Sequence, residues 1–233
     1  MVGVYLSAIV LLLSIVLLFS SKHTQKTFLI VSALCILIYK LIEYTQYGLL
    51  LQPYKIPLEY STMAYFIYSI TIIFNFSKMK TLAAFASFIS GFGYLISFMF
   101  LAPEFIFNNG IFLTFFAFIN HSILFIGSLL LMSEHHYTKY DNKLILNYTL
   151  FYVVYVVIIN HIIEFPQSYI FIRLLLGGNL LNYLYPSISY TSYDYLLYFI
   201  LLLIIYRFAL HLFNYINHLI FFLRKDNRHE YTI

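Results

Sequence analysis

The sequence predicts an all-α membrane protein, a polytopic bundle of seven transmembrane helices in one domain over residues 1–233. Two observations predict this fold class. The chain is 62% hydrophobic and only 9% charged, whereas about 25% of the residues of a soluble domain are charged. Its apolar residues also form runs close to the roughly 20 residues that cross a hydrocarbon core, with polar or turn-forming residues between them.

The runs give the predicted helices: residues 2–20, 27–51, 58–76, 81–102, 110–132, 144–165 and 195–223. The last run is longer than a membrane requires, so the helix is either tilted or extends into the cytoplasm. Between the sixth and seventh runs, residues 170–193 hold a short apolar stretch, a Gly-Gly pair and Pro186. We expect a re-entrant or surface segment there, because the apolar stretch is too short to span.

The basic residues predict the orientation of this bundle. Only Lys55 and Arg173 lie in loops on one side. The other side carries Lys22, Lys26, Lys78, Lys80, Lys139, Lys143, Arg224, Lys225 and Arg228. The positive-inside rule then places the N-terminus outside and the C-terminus in the cytoplasm. The net charge of +4 is scattered over short loops, which topology explains better than binding to acidic lipid, and we expect no nucleic acid as a partner.

Ionisable residues inside predicted spans are candidate functional residues, because each costs about 2.5–3.5 kcal/mol on insertion. Lys40 and Glu43 are three residues apart in the second helix, so they can pair on one face, with Tyr44 and Tyr47 on the same side. The pair has two readings. It either locks the packing of helices or lines a polar chamber that binds a substrate.

The fifth predicted helix contains His121 near its middle. Thr114 and Ser128 lie seven residues before and after it, which forms a polar stripe on an apolar helix. A membrane histidine can serve only to hydrogen-bond a neighbouring helix. Its near-neutral pKa in solution also makes it a versatile general base, so structure and chemistry both remain open for His121.

Further polar groups lie in the last two predicted helices. Asn160, His161 and Glu164 cluster near the outer end of the sixth, where they form either an interfacial network or a proton relay. Arg207 lies deep in the seventh helix and needs a partner, such as Glu43 or a lipid phosphate. We assign these residues to the predicted polar chamber.

No metal site and no cofactor is predicted. The chain has a single cysteine, Cys35, and no H-E-x-x-H or Cys/His array. His135 and His136 are adjacent in a loop. Walker-type and Rossmann glycine patterns are also absent from the sequence.

The segment KIPLEYSTMAY runs from Lys55 to Tyr65 and opens the third predicted helix. Ser61 lies in its first turn, near backbone N–H groups and the positive end of the helix dipole. A hydroxyl there is well placed to act as a nucleophile. Serine is also one of the commonest residues at a helix start, so a capping role is the other reading.

These features together resemble the YwaF-type integral membrane proteins. The resemblance rests on the helix layout, on Pro57 and Leu58, on His121, and on Asn182-Tyr183 followed by Pro186. The family is similar to the eukaryotic transmembrane protein 164, an acyltransferase of phospholipids. Its hallmark is a P-L-H-x-C run at the start of the third helix, and a membrane histidine is thought to act with that cysteine.

The resemblance implies a lipid acyltransferase or acyl hydrolase in which Ser61 is the nucleophile and His121 its base. Glu59 or Glu164 would orient that base. Glu59 stands where the family has His, and Ser61 stands where it has Cys. Serine needs a well-aligned base, whereas cysteine is already partly thiolate near neutral pH, so loss of activity is one consequence that the substitution allows.

Two non-enzymatic functions remain as alternatives. One is a small transporter or a lipid-binding accessory protein, in which Lys40, Glu43, His161, Glu164 and Arg207 line a polar path. The other is a helix bundle that binds partner proteins and has no small-molecule site. Uptake into proteoliposomes without lipid turnover would distinguish a carrier from an enzyme.

Overall fold

The computed structural model describes residues 2–52, 59–162 and 192–229, but not the side chains at positions 157, 160, 161, 192–199, 202 and 225–229. The described residues are all-helical, as the sequence predicts. The six α-helices are α1 (Val2–Leu18), α2 (Lys22–Leu49), α3 (Tyr60–Ile73), α4 (Lys80–Glu134), α5 (Lys139–Ile162) and α6 (Ser192–His229), and a 3₁₀ turn at Ser77–Met79 precedes α4.

The prediction of seven transmembrane helices is wrong. The described residues form six α-helices. Among them, two helical stretches are long and apolar enough to cross a membrane, namely Lys22–Leu49 and Ser77–Glu134. α1 has 17 residues and α3 only 14, fewer than the roughly 20 that a span needs. The predicted helices 81–102 and 110–132 both belong to α4. The orientation with the termini on opposite sides requires an odd number of spans, so it is not retained.

α4 folds back on itself although it is helical over 55 residues. Leu101 has φ −114° and ψ 16°, and Gly110 has φ 77° and ψ 159°, a conformation that only glycine adopts readily. The limbs on either side of this bend run antiparallel. Lys80 at the start of the helix forms a 3.1 Å ion pair with Glu134 at its end.

Small residues let the two limbs of α4 approach closely. Ala83, Ser87 and Gly91 are spaced four residues apart and are all buried. A Cβ added to Gly91 would lie 2.5 Å from the Phe125 backbone nitrogen and 2.7 Å from the His121 carbonyl oxygen. The stripe of small residues therefore sets the distance between the limb that carries His121 and the limb that carries Ser90.

Large apolar side chains also lie on the outside of the protein. Leu12 is 64% exposed, Leu203 is 68% exposed and Phe107 is 89% exposed. An apolar surface of this kind marks contact with a membrane or a partner. Together with the two helices able to cross a membrane, it indicates a membrane protein.

A buried asparagine joins α6 to the segment between α4 and α5. Asn217 is 1% exposed. Its amide nitrogen donates to the carbonyl oxygens of Met132 (2.9 Å) and His135 (2.7 Å), and its amide oxygen accepts from the Tyr137 N–H (2.9 Å). Three satisfied hydrogen bonds make this polar contact specific.

Asp141 fixes the start of α5 against the start of α4. Its carboxylate accepts hydrogen bonds from the Thr138 N–H (2.9 Å) and hydroxyl (2.8 Å), and from the Thr81 hydroxyl (2.6 Å). Burial alone would raise the pKa of Asp141. The hydrogen bonds from Thr81 and Thr138, with His135 nearby, instead hold that pKa below its ordinary value.

Candidate functional site

Lys40 and Glu43 form the ion pair that their spacing predicts. The Lys40 Nζ lies 2.6 Å from the Glu43 Oε2, and the Tyr47 hydroxyl donates to the Glu43 Oε1 at 3.3 Å. Lys40 is only 9% exposed. The pair is therefore largely removed from solvent, where a lysine without an anion would be costly.

The Lys40 ammonium also lies over two aromatic rings. Its nitrogen is 4.8 Å from the ring centre of Tyr65 on α3 and 5.1 Å from that of Tyr39 on α2. Cation–π contacts at these distances are attractive, and more so away from water. Lys40 therefore connects α2 to the face of α3 that carries Tyr65.

Glu59 stands at the start of α3 as its N-cap residue, but its side chain does not cap the helix. The carboxylate instead interacts with the Ser61 hydroxyl and lies within electrostatic range of Lys40 and Glu43. Two carboxylates therefore share one lysine in this cluster. We call Lys40, Glu43, Glu59 and Ser61 the α2–α3 polar cluster.

His121 is held in one orientation on the second limb of α4. Its Nδ1 lies 3.1 Å from the Ser90 carbonyl oxygen and 3.2 Å from the Ser90 hydroxyl. The imidazole stacks on Tyr94, with ring centres 4.1 Å apart, and its ring centre is 5.6 Å from that of Tyr65. A carbonyl oxygen can only accept, so Nδ1 carries the proton and Nε2 keeps its lone pair.

The predicted catalytic residues Ser61 and His121 are both near Tyr65, since Ser61 is one helical turn before it and the His121 ring centre is 5.6 Å from its ring centre. Within the described residues no hydrogen bond joins them, since Ser61 interacts with Glu59 and His121 with Ser90. Ser61 precedes Tyr65 by one helical turn, about 6 Å along the axis. Tyr65 in turn contacts both Lys40 and His121.

The stripe predicted around His121 has a structural role at both of its ends. Thr114 donates to the Phe105 carbonyl at 2.9 Å, and Ser128 donates to the Phe125 carbonyl at 2.7 Å. Both hydroxyls are satisfied by backbone oxygens. They are therefore not part of the site.

Arg207 does not join the polar cluster, contrary to the sequence analysis. It is exposed on α6 and forms no ion pair with any residue that the structure describes. The proposed partner Glu43 is already paired with Lys40. Asn160 and His161 lie in the last turn of α5 without described side chains, and Glu164 lies outside the described residues.

Sequence reasoning missed Ser90 and Tyr94, which hold the His121 ring. Both lie on the first limb of α4, about thirty residues before the histidine, and reach it only because α4 folds back. Their spacing of four residues places them on one helix face. No local signal in the sequence connects that face to His121.

In the part of the chain that the structure describes, no group of three or more His, Cys, Asp or Glu side chains is arranged to hold a metal ion. Cys35 is exposed on α2. The site is thus an arrangement of a lysine, two carboxylates, a serine and a histidine beside tyrosine rings.

No family model, curated protein or solved structure matches the chain. Pro57, Leu58 and the segment 182–186, which carry much of the YwaF-type resemblance, lie outside the described residues. Function is therefore argued from the geometry of Ser61, His121 and their neighbours.

Proposed function

We propose that the chain is a multi-pass protein of the bacterial plasma membrane, of the YwaF type, that acts on the acyl esters of membrane lipids as a transferase or hydrolase. The observation that carries the proposal is the orientation of His121. Its Nδ1 is fixed on the Ser90 carbonyl, so Nε2 is the nitrogen left to take a proton. Stacking on Tyr94 keeps the ring in that orientation.

Ser61 is the proposed nucleophile. It is one turn from Tyr65, whose ring contacts His121, and it lies in the first turn of α3. The hydroxyl interacts with Glu59 at rest, so attack requires it to turn from Glu59 toward His121. Catalytic hydrogen bonds often tighten only when the substrate is bound.

The first turn of α3 also provides donors for a developing oxyanion. The first N–H groups of a helix have no partner within the helix, and the Glu59 side chain does not cap them. Donors fixed near the nucleophile stabilise the tetrahedral intermediate of acyl transfer. A lipid ester carbonyl beside Ser61 would lie close to these groups.

In the proposed reaction the Ser61 Oγ attacks the ester carbonyl carbon, and its proton passes to the His121 Nε2. The C–O bond to the lipid alcohol then breaks, and that alcohol leaves with the proton from His121. Water or a second lipid alcohol attacks the acyl-serine in the same way, which releases a fatty acid or a new ester. Glu59 holds the serine hydroxyl between turnovers.

Labelling by a fluorophosphonate probe in native membranes tests this proposal. We expect the probe to label the wild-type chain at Ser61, with labelling lost in Ser61→Ala and reduced at least tenfold in His121→Ala, since a positioned base contributes about 10²–10⁴-fold. Ser69→Ala is the matched control, because Ser69 is buried two turns further along α3. Undiminished labelling of Ser61→Ala would exclude Ser61 as the nucleophile.

The second candidate function is a membrane carrier of protons or cations. The α2–α3 polar cluster favours it, because two carboxylates there share one lysine. Among the residues that the structure describes, Lys40 is the one cation that Glu43 and Glu59 share, so the cluster can take up a proton or cation. Uptake into proteoliposomes that is lost in Glu43→Gln, retained in Glu134→Gln and accompanied by no lipid turnover would support the carrier. Lipid turnover without ion flux would exclude it.

A further inference from the structure

Tyrosine side chains from three helices meet beside the first turn of α3. The Tyr60 ring packs edge-on against Tyr152 of α5, with centres 5.2 Å apart, and against Tyr148 at 6.4 Å. Tyr206 of α6 completes the group, because the Tyr60 hydroxyl interacts electrostatically with it and with the other two. We call Tyr60, Tyr148, Tyr152 and Tyr206 the tyrosine cluster.

Two hydroxyls of the tyrosine cluster are buried and have no hydrogen-bond partner in the part of the chain that the structure describes. The oxygens of Tyr60 and Tyr148 are inaccessible to solvent, and no described residue pairs with them. The hydroxyl of Tyr206, by contrast, shares a 3.2 Å hydrogen bond with Thr149. Buried hydroxyls nearly always have a partner, because losing water without one is costly. Other unpaired hydroxyls lie outside this cluster, namely those of Ser69, Thr71, Ser87 and Tyr137.

The surroundings restrict what the two hydroxyls can bind. Each phenol hydroxyl has one O–H to donate, and an acceptor oxygen of a ligand would satisfy both of them. Glu59 lies within electrostatic range of Tyr152 and directly precedes Tyr60 in the chain, so a phosphate or carboxylate would be repelled there. A neutral acceptor satisfies both conditions. In a diacyl glycerolipid the ester carbonyls are neutral acceptors of this kind.

We infer that the Tyr60 and Tyr148 hydroxyls, brought together where α3 meets α5, bind the ester carbonyl of a diacyl glycerolipid. The choice of an acyl ester rests on the proposed function at Ser61. Successive residues of a helix point about 100° apart, so Tyr60 and Ser61 face different sides of the first turn of α3. The tyrosine cluster holds one ester of the lipid, and Ser61 faces the second.

Lipid binding to purified protein in detergent tests the inference. The ligands are dioleoylglycerol and its diether analogue, which has the same chains and no carbonyl. All measurements use Ser61→Ala as the parent, so that no ester is turned over. We expect the parent to bind the diester more tightly than the diether. Two lost hydrogen bonds of ordinary strength correspond to about tenfold or more in affinity, so Tyr60→Phe/Tyr148→Phe should bind the diester about tenfold more weakly.

Tyr68→Phe is the control, because the Tyr68 hydroxyl is buried but already shares a 2.9 Å hydrogen bond with Ser32. This variant should keep the preference for the diester. In the absence of lipid the Tyr60→Phe/Tyr148→Phe variant should melt no lower than the parent, since it loses only unpaired hydroxyls, while Tyr68→Phe should melt lower.

Equal affinity of the parent for diester and diether would overturn the inference, and so would unchanged diester binding in the double variant. Either result would mean that these hydroxyls do not bind the ester carbonyl. Every protein in this binding experiment carries Ser61→Ala. A failure to bind the ester is therefore distinguishable from a failure of the proposed acyl chemistry. That chemistry is tested by labelling Ser61 in the wild-type chain.

Discussion

Lys40 makes the contacts that hold the candidate site together at the scale of single residues. It pairs with Glu43 at 2.6 Å, lies over the rings of Tyr39 and Tyr65, and is within electrostatic range of Glu59. A lysine that is 9% exposed keeps its charge only if such partners compensate for lost water. Removing the Lys40 side chain should therefore destabilise the protein mainly by leaving the Glu43 carboxylate without its counter-charge, and less by the loss of packing.

We predict that Lys40→Met destabilises the protein by about 3 kcal/mol, since breaking a buried ion pair leaves one charge without compensation. The double variant Lys40→Met/Glu43→Met should recover most of that loss. Thermal unfolding in detergent with matched single and double variants measures both. Additive losses in the double variant would show that the two side chains are not coupled.

The sequence predicts contacts within one helix far better than contacts between helices. The Lys40 and Glu43 pair follows from a spacing of three residues, because residues so spaced share a helix face. The contacts of His121 with Ser90 and Tyr94 depend on the bend between Leu101 and Gly110, which begins twenty residues before His121 and ends eleven residues before it. The sequence does not predict the interaction of Ser61 with Glu59 either, because each side chain has several possible partners.

At the scale of elements, the bend in α4 decides which residues reach His121. Residues 103–109 contain Pro103, Asn108 and Asn109, and this composition predicts a loop between two helices. The structure is helical there instead. The backbone departs from helical geometry at Leu101, so Pro103 lies in the first turn of a new helical stretch, where its missing N–H is harmless.

Gly91 provides a test of the close packing between the limbs of α4. We predict that Gly91→Ala destabilises the protein and displaces His121, because the new Cβ would meet the Phe125 and His121 backbones at 2.5–2.7 Å. Gly93→Ala is the control, since nothing lies within 4 Å of its Cβ. Alanine there should raise stability by up to about 1 kcal/mol.

Thermal unfolding and fluorophosphonate labelling of the two glycine variants separate these effects. Gly91→Ala should lower both the melting temperature and the labelling of Ser61. Gly93→Ala should leave the labelling unchanged. Equal melting temperatures for the two variants would contradict the close approach of the limbs.

The whole molecule has one end where α4, α5 and α6 are joined by polar contacts. Asn217 holds the segment between α4 and α5, Asp141 bonds to Thr81 and Thr138, and Arg224 donates to Ser133. By contrast with this polar end, much of the outer surface of the protein is covered by apolar side chains. The all-α class and most helix ends were predictable from hydropathy, whereas the number of spans was not, because α1 and α3 are short and the bend that joins the two limbs of α4 is itself largely helical.

Asp141 makes the stability of this end depend on pH. Its pKa in the folded chain is below the ordinary value of 3.8, so the unfolded chain binds the proton more readily. The stabilisation is complete above the unfolded pKa and is lost as the pH falls through the folded pKa. We predict that the melting temperature falls as the pH drops below about 5, more steeply than in Asp141→Asn. Parallel curves for the two proteins would exclude this contribution.

The central claim is that Ser61 forms an ester with an acyl chain taken from a membrane lipid. Mass spectrometry of the purified chain after incubation with a phospholipid that carries an isotope-labelled acyl group tests it most directly. The account predicts a labelled acyl group on the peptide that contains Ser61, together with labelled fatty acid or ester product, and neither in Ser61→Ala. Labelled product at the same rate from Ser61→Ala, or no labelled adduct and no product from the wild-type chain, would contradict it.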